Sequence, residues 1–414
     1  MIFSLNDAFF SRAVTTVRMV DKDGKSGADA QSSMRRTKHT VGFVIILVVF
    51  ITLPRYRSRN IASVSSSAGG LDTNVSDKTL VTYAYAEGLG NGGKIDVYNF
   101  RYFLKVAVAS NTPGTEDIYN RVDYNIVVSG SSCTPCEETL PGILRKSYRT
   151  DWVRVLYKEN FGMDFGGYNV SISWVKRHFG LDKYKYYVFI NSSTRGPFMP
   201  KWTPRTFHYT EALTNFFKEE AKVKLAGSYV TCLPQLEPQP GPILESLFFA
   251  VDHHSLRWLI SDGVFDLRAE KADAILSGEY ALLKSITSRG GYVEGLSMRY
   301  AKGIDWRDFR HHHCNDNRHS SRRGSLSAGV SPNPLEHIFL KTSWCVRATE
   351  TSVYSNWLTA LSNGQTGTQG ELDMNGYLRG ISVEGTSGKA GTLPDEISPD
   401  GCKYGDIKSL FVLP

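Results

Sequence analysis

Two short apolar runs, at 153–157 and 186–190, each end in a polar cluster and bracket a stretch with helical periodicity. Val170, Trp174, Val175, His178 and Phe179 recur between them at helical spacing, which lays a helix against the sheet that the two runs would share. The unit reads as strand, Gly-rich polar loop, amphipathic helix, strand, polar loop. In open α/β sheets, ligands bind in the crevice beyond the carboxyl ends of the strands. Asn160, Asp164, Gly166, Gly167 and Asn169 are therefore expected to share one crevice with Asn191, Ser192, Ser193 and Arg195. That mixture of carboxylate, amide, hydroxyl and guanidinium groups around glycines suits an anionic, hydroxyl-rich ligand such as a nucleotide-sugar.

The same alternation runs through the middle of the chain. Strands are expected at 79–86, 124–129, 153–157, 186–190, 223–229, 247–251 and 292–295. Helices are expected at 100–108, continuing from 98–101, and at 170–179, 254–260 and 273–285. Strands alternating with helices imply an α/β fold with a mostly parallel sheet. At 414 residues with 41% hydrophobic content, the chain has ample material for a packed core. Its net charge of +7 is mild and concentrated in the first sixty residues, so nucleic acid is not an expected partner.

Residues 40–54 (TVGFVIILVVFITLP) carry no charge, and basic residues stand on both sides. The run starts too late for a secretory signal and is apolar all round between polar flanks, which favours a single membrane anchor. The longer basic side precedes it, placing the N-terminus in the cytoplasm and the body in the lumen. So short a span suits the thinner membranes of the ER or Golgi. The expected organisation is a cytoplasmic segment at 1–39, an anchor at 40–54, a Ser/Gly-rich stem at 55–77, a catalytic domain at 78–363 and a disordered Gly/Ser-rich tail at 364–414.

The blocks TYAYAEG, NFRYFLKVAV, VDYNIVVSG, VRVLYKENFGMDFGGYN, YKYYVFINSSTRGPFMP, GEYALLKSI and NPLEHIFLK, in that order, resemble the rhamnan-synthesis-type glycosyltransferase-like family and its algal and fungal type II membrane relatives. The resemblance covers roughly 79–341, with DFGGY and INSSTRGP its most specific parts. It implies a GT-A-like three-layer fold and glycosyl transfer from a nucleotide-diphosphosugar to a glycan or protein acceptor. In GT-A enzymes a divalent Mn or Mg ion, held by an Asp-x-Asp motif, commonly bridges the donor's diphosphate. Here that place is taken by Asn191-Ser192-Ser193, which puts metal dependence in doubt, and Arg195 is the alternative counter-charge.

Individual residues carry two readings each. Gly166 and Gly167 allow either close backbone approach to a phosphate or a tight strand-to-helix turn. Asp164 is expected to hold a base or sugar hydroxyl, and it can cap the following helix at the same time. Glu279 stands where an acceptor-side base is expected, or else is a helix-surface glutamate. Glu87 ends the first strand, in reach of a nucleotide or merely in a loop. His337 would meet the diphosphate or serve in packing. The His-rich run at 311–319 lacks the spacing of a zinc site and reads as a polar insertion. Cys133 and Cys136, in C-T-P-C, are expected to serve in structural disulfides rather than as a redox pair, with the connectivity among the six cysteines left open. The leading expectation is a glycosyltransferase. The rivals are a catalytically silent lumenal glycan-binding protein of the same fold and a nucleotidyltransferase.

Overall fold

Along the first strand, β1 (Thr79–Ala86), alternate side chains enter two different cores. Val81, Tyr83 and Tyr85 pack with Phe100, Phe103 and Leu104 on one face, while Leu80 and Ala84 pack with Phe165, Tyr168 and Ile172 on the other. A strand buried on both faces belongs to a sheet covered by helices on both sides, a three-layer α/β arrangement. The computed structural model describes residues 77–87, 93–109, 121–146, 151–200, 202–204, 206–232, 241–298, 300–308, 310, 332–342, 351, 354, 355, 358 and 359. The expected anchor at 40–54, the stem up to 76, the His-rich run and the tail lie outside these residues. Among the described residues, no helix is long and apolar enough to cross a membrane.

The remaining strands are β2 (Val122–Ser129), β3 (Val153–Lys158), β4 (Tyr186–Asn191), β5 (Thr194–Arg195), β6 (Val223–Gly227), β7 (Val230–Cys232), β8 (Pro242–Leu244), β9 (Phe248–Asp252), β10 (Tyr292–Gly295) and β11 (Leu340–Lys341). Six of them join β1 in one seven-stranded sheet, in the order β10-β6-β9-β4-β1-β2-β3. Only β9 runs antiparallel to its neighbours. The chain builds outward from β1 through β2 to β3, then returns to lay β4 on the other side of β1. That reversal is a topological switch point, and its register is fixed, with Ala84 beside Asn191, Ala86 beside Ser129 and Ser129 beside Lys158. The carboxyl ends of four strands thus form one edge.

Several elements differ from the sequence reading. The helix expected at 100–108 begins at Gly93 and runs to Phe103, and a π-helical turn, Leu104–Val108, follows it. The loop expected before the next helix is already helical from Met163, so Gly166 and Gly167 lie inside Met163–His178 rather than in a phosphate-cradling loop. Packing supplies the reason. A Cβ on Gly167 would sit 3.1 Å from the Ala84 Cβ, and one on Gly166 would sit 2.7 Å from the Phe161 carbonyl oxygen. Glycine lets the helix press on β1 and lets the preceding loop fold over it. The helix expected at 273–285 divides into Lys271–Ala274, a π-turn Ile275–Glu279 and Ala281–Thr287. The strand expected at 223–229 stops at Gly227, where an added Cβ would run into Leu244.

Candidate functional site

Four elements converge on the edge where β1 and β4 end. The Gly93–Phe103 helix brings Asp96 in its first turn and Asn99 one turn later on the same side. Asn99 fixes that side: its Nδ2 donates to the Ser192 carbonyl oxygen and to Thr342 Oγ1, each at 2.8 Å. The Met163–His178 helix brings Asp164 in its first turn, one turn before the Gly167 contact with β1. The π-turn brings Glu279, one of whose oxygens accepts the Ser246 backbone N–H at 3.2 Å. Single π-turns occur disproportionately at functional sites. The fourth element, β11, pairs antiparallel with β5, setting Lys341 opposite Thr194 just past the β4 turn.

Electrostatics bind these groups into one cluster. Burial pushes the Asp164 carboxyl up to about 6, with Glu279 adding to the rise while Lys341, Lys158 and Lys271 oppose it. Asp96 is pushed up to about 7 by burial and by the charge of Asp164. Desolvation draws Lys158, at the end of β3, down to about 8 against the pull of Asp164. Two fully buried hydroxyls within range of Asp164, those of Tyr83 and Tyr168, have no hydrogen-bond partner among the described residues. Carboxyls held near neutrality among lysines at a switch point form a physical signature of a binding or catalytic cleft.

The other residues singled out from sequence take varied places. Asn160 is exposed on the approach to the Met163–His178 helix. Asn169 is turned to the Phe265 carbonyl, to which its Nδ2 donates at 2.8 Å, tying the helix to a neighbouring loop. Glu87 accepts from the Thr134 backbone N–H at 2.6 Å, from the Thr134 hydroxyl and from the Tyr85 hydroxyl at 3.2 Å. Burial opposes the effect, but those bonds hold its carboxyl below the usual range. Glu87 thereby anchors the helix Thr134–Glu138, which the Cys133–Cys136 disulfide closes at its start. His337 is buried with its ring stacked on Tyr229 at 4.1 Å. Its Nδ1 lies 3.1 Å from the Asn333 carbonyl oxygen, and Nε2 has no partner among the described residues. Burial draws its pKa down, so the ring is neutral at pH 7.

Arg195 is fully buried, and its guanidinium is engaged inside the fold. Nε donates to Asn99 Oδ1 at 3.0 Å, Nη1 donates to Ser355 Oγ at 3.4 Å, and the Tyr98 ring lies 4.3 Å from its central carbon. This arginine holds the β4 turn to the Gly93–Phe103 helix. Asn191 is likewise occupied, since its Oδ1 accepts the Ser193 hydroxyl at 2.6 Å. With no anionic oxygen and its amide oxygen already bonded, the Asn191-Ser192-Ser193 turn does not fit a divalent cation. Among the described residues, no group of three or more His, Cys, Asp and Glu is placed to hold a metal.

Sequence reasoning missed Asp96, Asn99 and Lys341. The i, i+3 spacing of Asp96 and Asn99 just after the Gly-rich stretch was the available signal for the first two. Gly196, next to Arg195, packs closely against Ile338 and Phe339, the residues that lead into β11. A Cβ there would fall 2.5 Å from the Ile338 carbonyl oxygen and against the Phe339 ring. Gly196→Ala is expected to destabilise the fold by about 1–3 kcal/mol, the usual range for overpacking. Urea denaturation checks this, and parent-like stability would mean that the β5–β11 contact is looser than described.

No family model matches the chain, and no curated protein does. Solved structures do match. One of them is the mannosyltransferase PcManGT from Pyrobaculum calidifontis, in complex with GDP-Man and Mn2+. The similarity covers 73% of this chain and 80% of that one, at 12% identity and a TM-score of 0.32. Likeness at that level indicates nothing about what this chain binds.

Proposed function

We propose that the chain is a glycosyltransferase of GT-A-like fold that takes a nucleotide-diphosphosugar and transfers its sugar to a glycan or protein hydroxyl. The observation that carries the reading is the cluster of Asp96, Asp164 and Glu279, with three lysines, in the crevice at the β1/β4 switch point. The resemblance in the DFGGY and INSSTRGP blocks points the same way, because both blocks border that crevice.

In this reading, Asp164 accepts hydrogen bonds from donor hydroxyls and orients the sugar. Glu279 takes the proton of the attacking acceptor hydroxyl, whose oxygen replaces the diphosphate oxygen on the anomeric carbon. The diphosphate leaves with the bonding electrons, so positive charge at its oxygens lowers the barrier. As part of the same proposal, the segment at 40–54 anchors the protein as a single-pass type II species in the Golgi or ER membrane, with this domain lumenal. A second reading, binding without turnover, is favoured by the internal engagement of Arg195 and by the β4 turn's lack of carboxylates.

Incubation with a panel of nucleotide-sugars, followed by product analysis, tests the proposal. Release of nucleoside diphosphate is expected, release of pyrophosphate would indicate nucleotidyl transfer, and binding without either product would support the silent reading. Asp164→Asn is expected to reduce donor binding or turnover at least tenfold while leaving the melting temperature unchanged or higher. The amide keeps the shape, and the cost of burying a charge disappears. Parent-like turnover in this variant would remove Asp164 from the site.

A further inference from the structure

We propose that Lys341, carried by β11 to the turn after β4, supplies the positive charge for the ligand's phosphate groups that a divalent cation supplies where that turn bears carboxylates. The inference rests on the nucleotide-sugar reading above and names the chemistry that its diphosphate would meet.

The turn itself cannot do this work. It carries no carboxylate, its Asn191 amide oxygen is bonded to Ser193, and the adjacent Arg195 is fully buried against Asn99, Ser355 and the Tyr98 ring. Phosphate oxygens brought to the crevice still need a partner, because an unneutralised diphosphate in a partly desolvated cleft is strongly disfavoured. Among the described residues, the cations that act on Asp164 are Lys341, Lys158 and Lys271.

Lys341 is the best mounted of them. Its strand pairs antiparallel with β5, with Leu340 opposite Arg195 and Lys341 opposite Thr194. The next residue locks that register, since the Thr342 N–H donates to the Ser193 carbonyl oxygen at 3.1 Å and its hydroxyl donates to Asn99 Oδ1 at 3.1 Å. Lys341 is therefore attached to the turn where the diphosphate of a donor would lie, with its backbone held from both sides. The side chain is half-buried. Of the cations around Asp164, Lys341 exerts the strongest pull, ahead of Lys158 and Lys271. The Asp164 carboxylate and the Lys341 ammonium group thus attract one another. A compact ammonium with three donors can bind phosphate oxygens as a point charge while keeping a carboxylate neighbour.

The test uses the full chain in detergent, with binding of nucleotide-diphosphosugars measured by calorimetry in excess EDTA and in added Mn2+. Parent protein, Lys341→Gln, Lys341→Arg and the remote surface variant Lys302→Gln are compared. Lys341→Gln keeps most of the side-chain length while removing the charge, so it is expected to fold, and a melting curve verifies that. Parent affinity is expected to change less than about threefold between EDTA and Mn2+. Lys341→Gln is expected to bind about ten- to a hundredfold more weakly, the range for losing one charge-assisted hydrogen bond. Lys341→Arg is expected to stay within a few-fold of the parent and Lys302→Gln to match it. Loss of parent binding on chelation overturns the inference, as does unchanged affinity in a folded Lys341→Gln. A parent protein that binds no nucleotide-sugar under either condition overturns the nucleotide-sugar reading instead.

Discussion

Arg195→Ala is expected to destabilise the fold by about 3–5 kcal/mol, the range for deleting a large, fully buried side chain. The guanidinium fills the space between the β4 turn, the Gly93–Phe103 helix and Ser355, and it stacks on Tyr98. Its loss would leave a cavity and deprive Asn99 Oδ1 of one of its two donors. Asn99 also secures the Ser192 carbonyl, so the crevice wall is expected to loosen together with the fold. Urea denaturation of parent and variant measures the effect. A variant as stable as the parent, but with weakened ligand binding, would show instead that the guanidinium meets the ligand.

Asp96→Asn is expected to do the opposite. The Asp96 carboxyl is pushed up to about 7 by burial and by Asp164, so at high pH the fold carries a charge it would hold more cheaply protonated. For a carboxyl raised in this direction, the folded state keeps a proton that the unfolded chain has released. Stability is then greatest below about pH 4 and falls as pH rises towards 7. At pH 8 the asparagine variant is expected to be more stable than the parent by about 2–4 kcal/mol, from a rise of about three pKa units at 1.36 kcal/mol each, discounted for relaxation. At pH 4 the two should coincide. Denaturation curves at both pH values check this, and equal stability at pH 8 would mean that the Asp96 charge is compensated by a partner. A group that costs this much stability suits a residue retained for binding or chemistry.

Local pattern in the chain was enough to specify the α/β class with a mostly parallel sheet. The runs at 79–86, 153–157 and 186–190 and the helical spacing between the last two specify strands and a helix. Burial periodicity is a property of neighbouring residues. The alternation of such elements specifies an α/β layer, and the rule that ligands sit beyond strand ends points to a candidate crevice near Asp164 and Asn191. Tertiary structure alone decided the rest. Gly166 and Gly167 read as a phosphate loop until β1 is placed against them, and then they are the helix positions where a side chain would collide with Ala84 or with Phe161. Arg195 reads as a loop cation until Tyr98, Asn99 and Ser355 close around it. Asp96 and Lys341 have no common signal at all. Asn99 and Thr342, their near neighbours in sequence, are 243 residues apart and meet only because β11 returns to β5 beside the Gly93–Phe103 helix. Periodicity says which face of an element is buried. Which partner buries it, and which charges that brings together, depends on the strand order and on long-range returns of the chain, and neither is written in any local window.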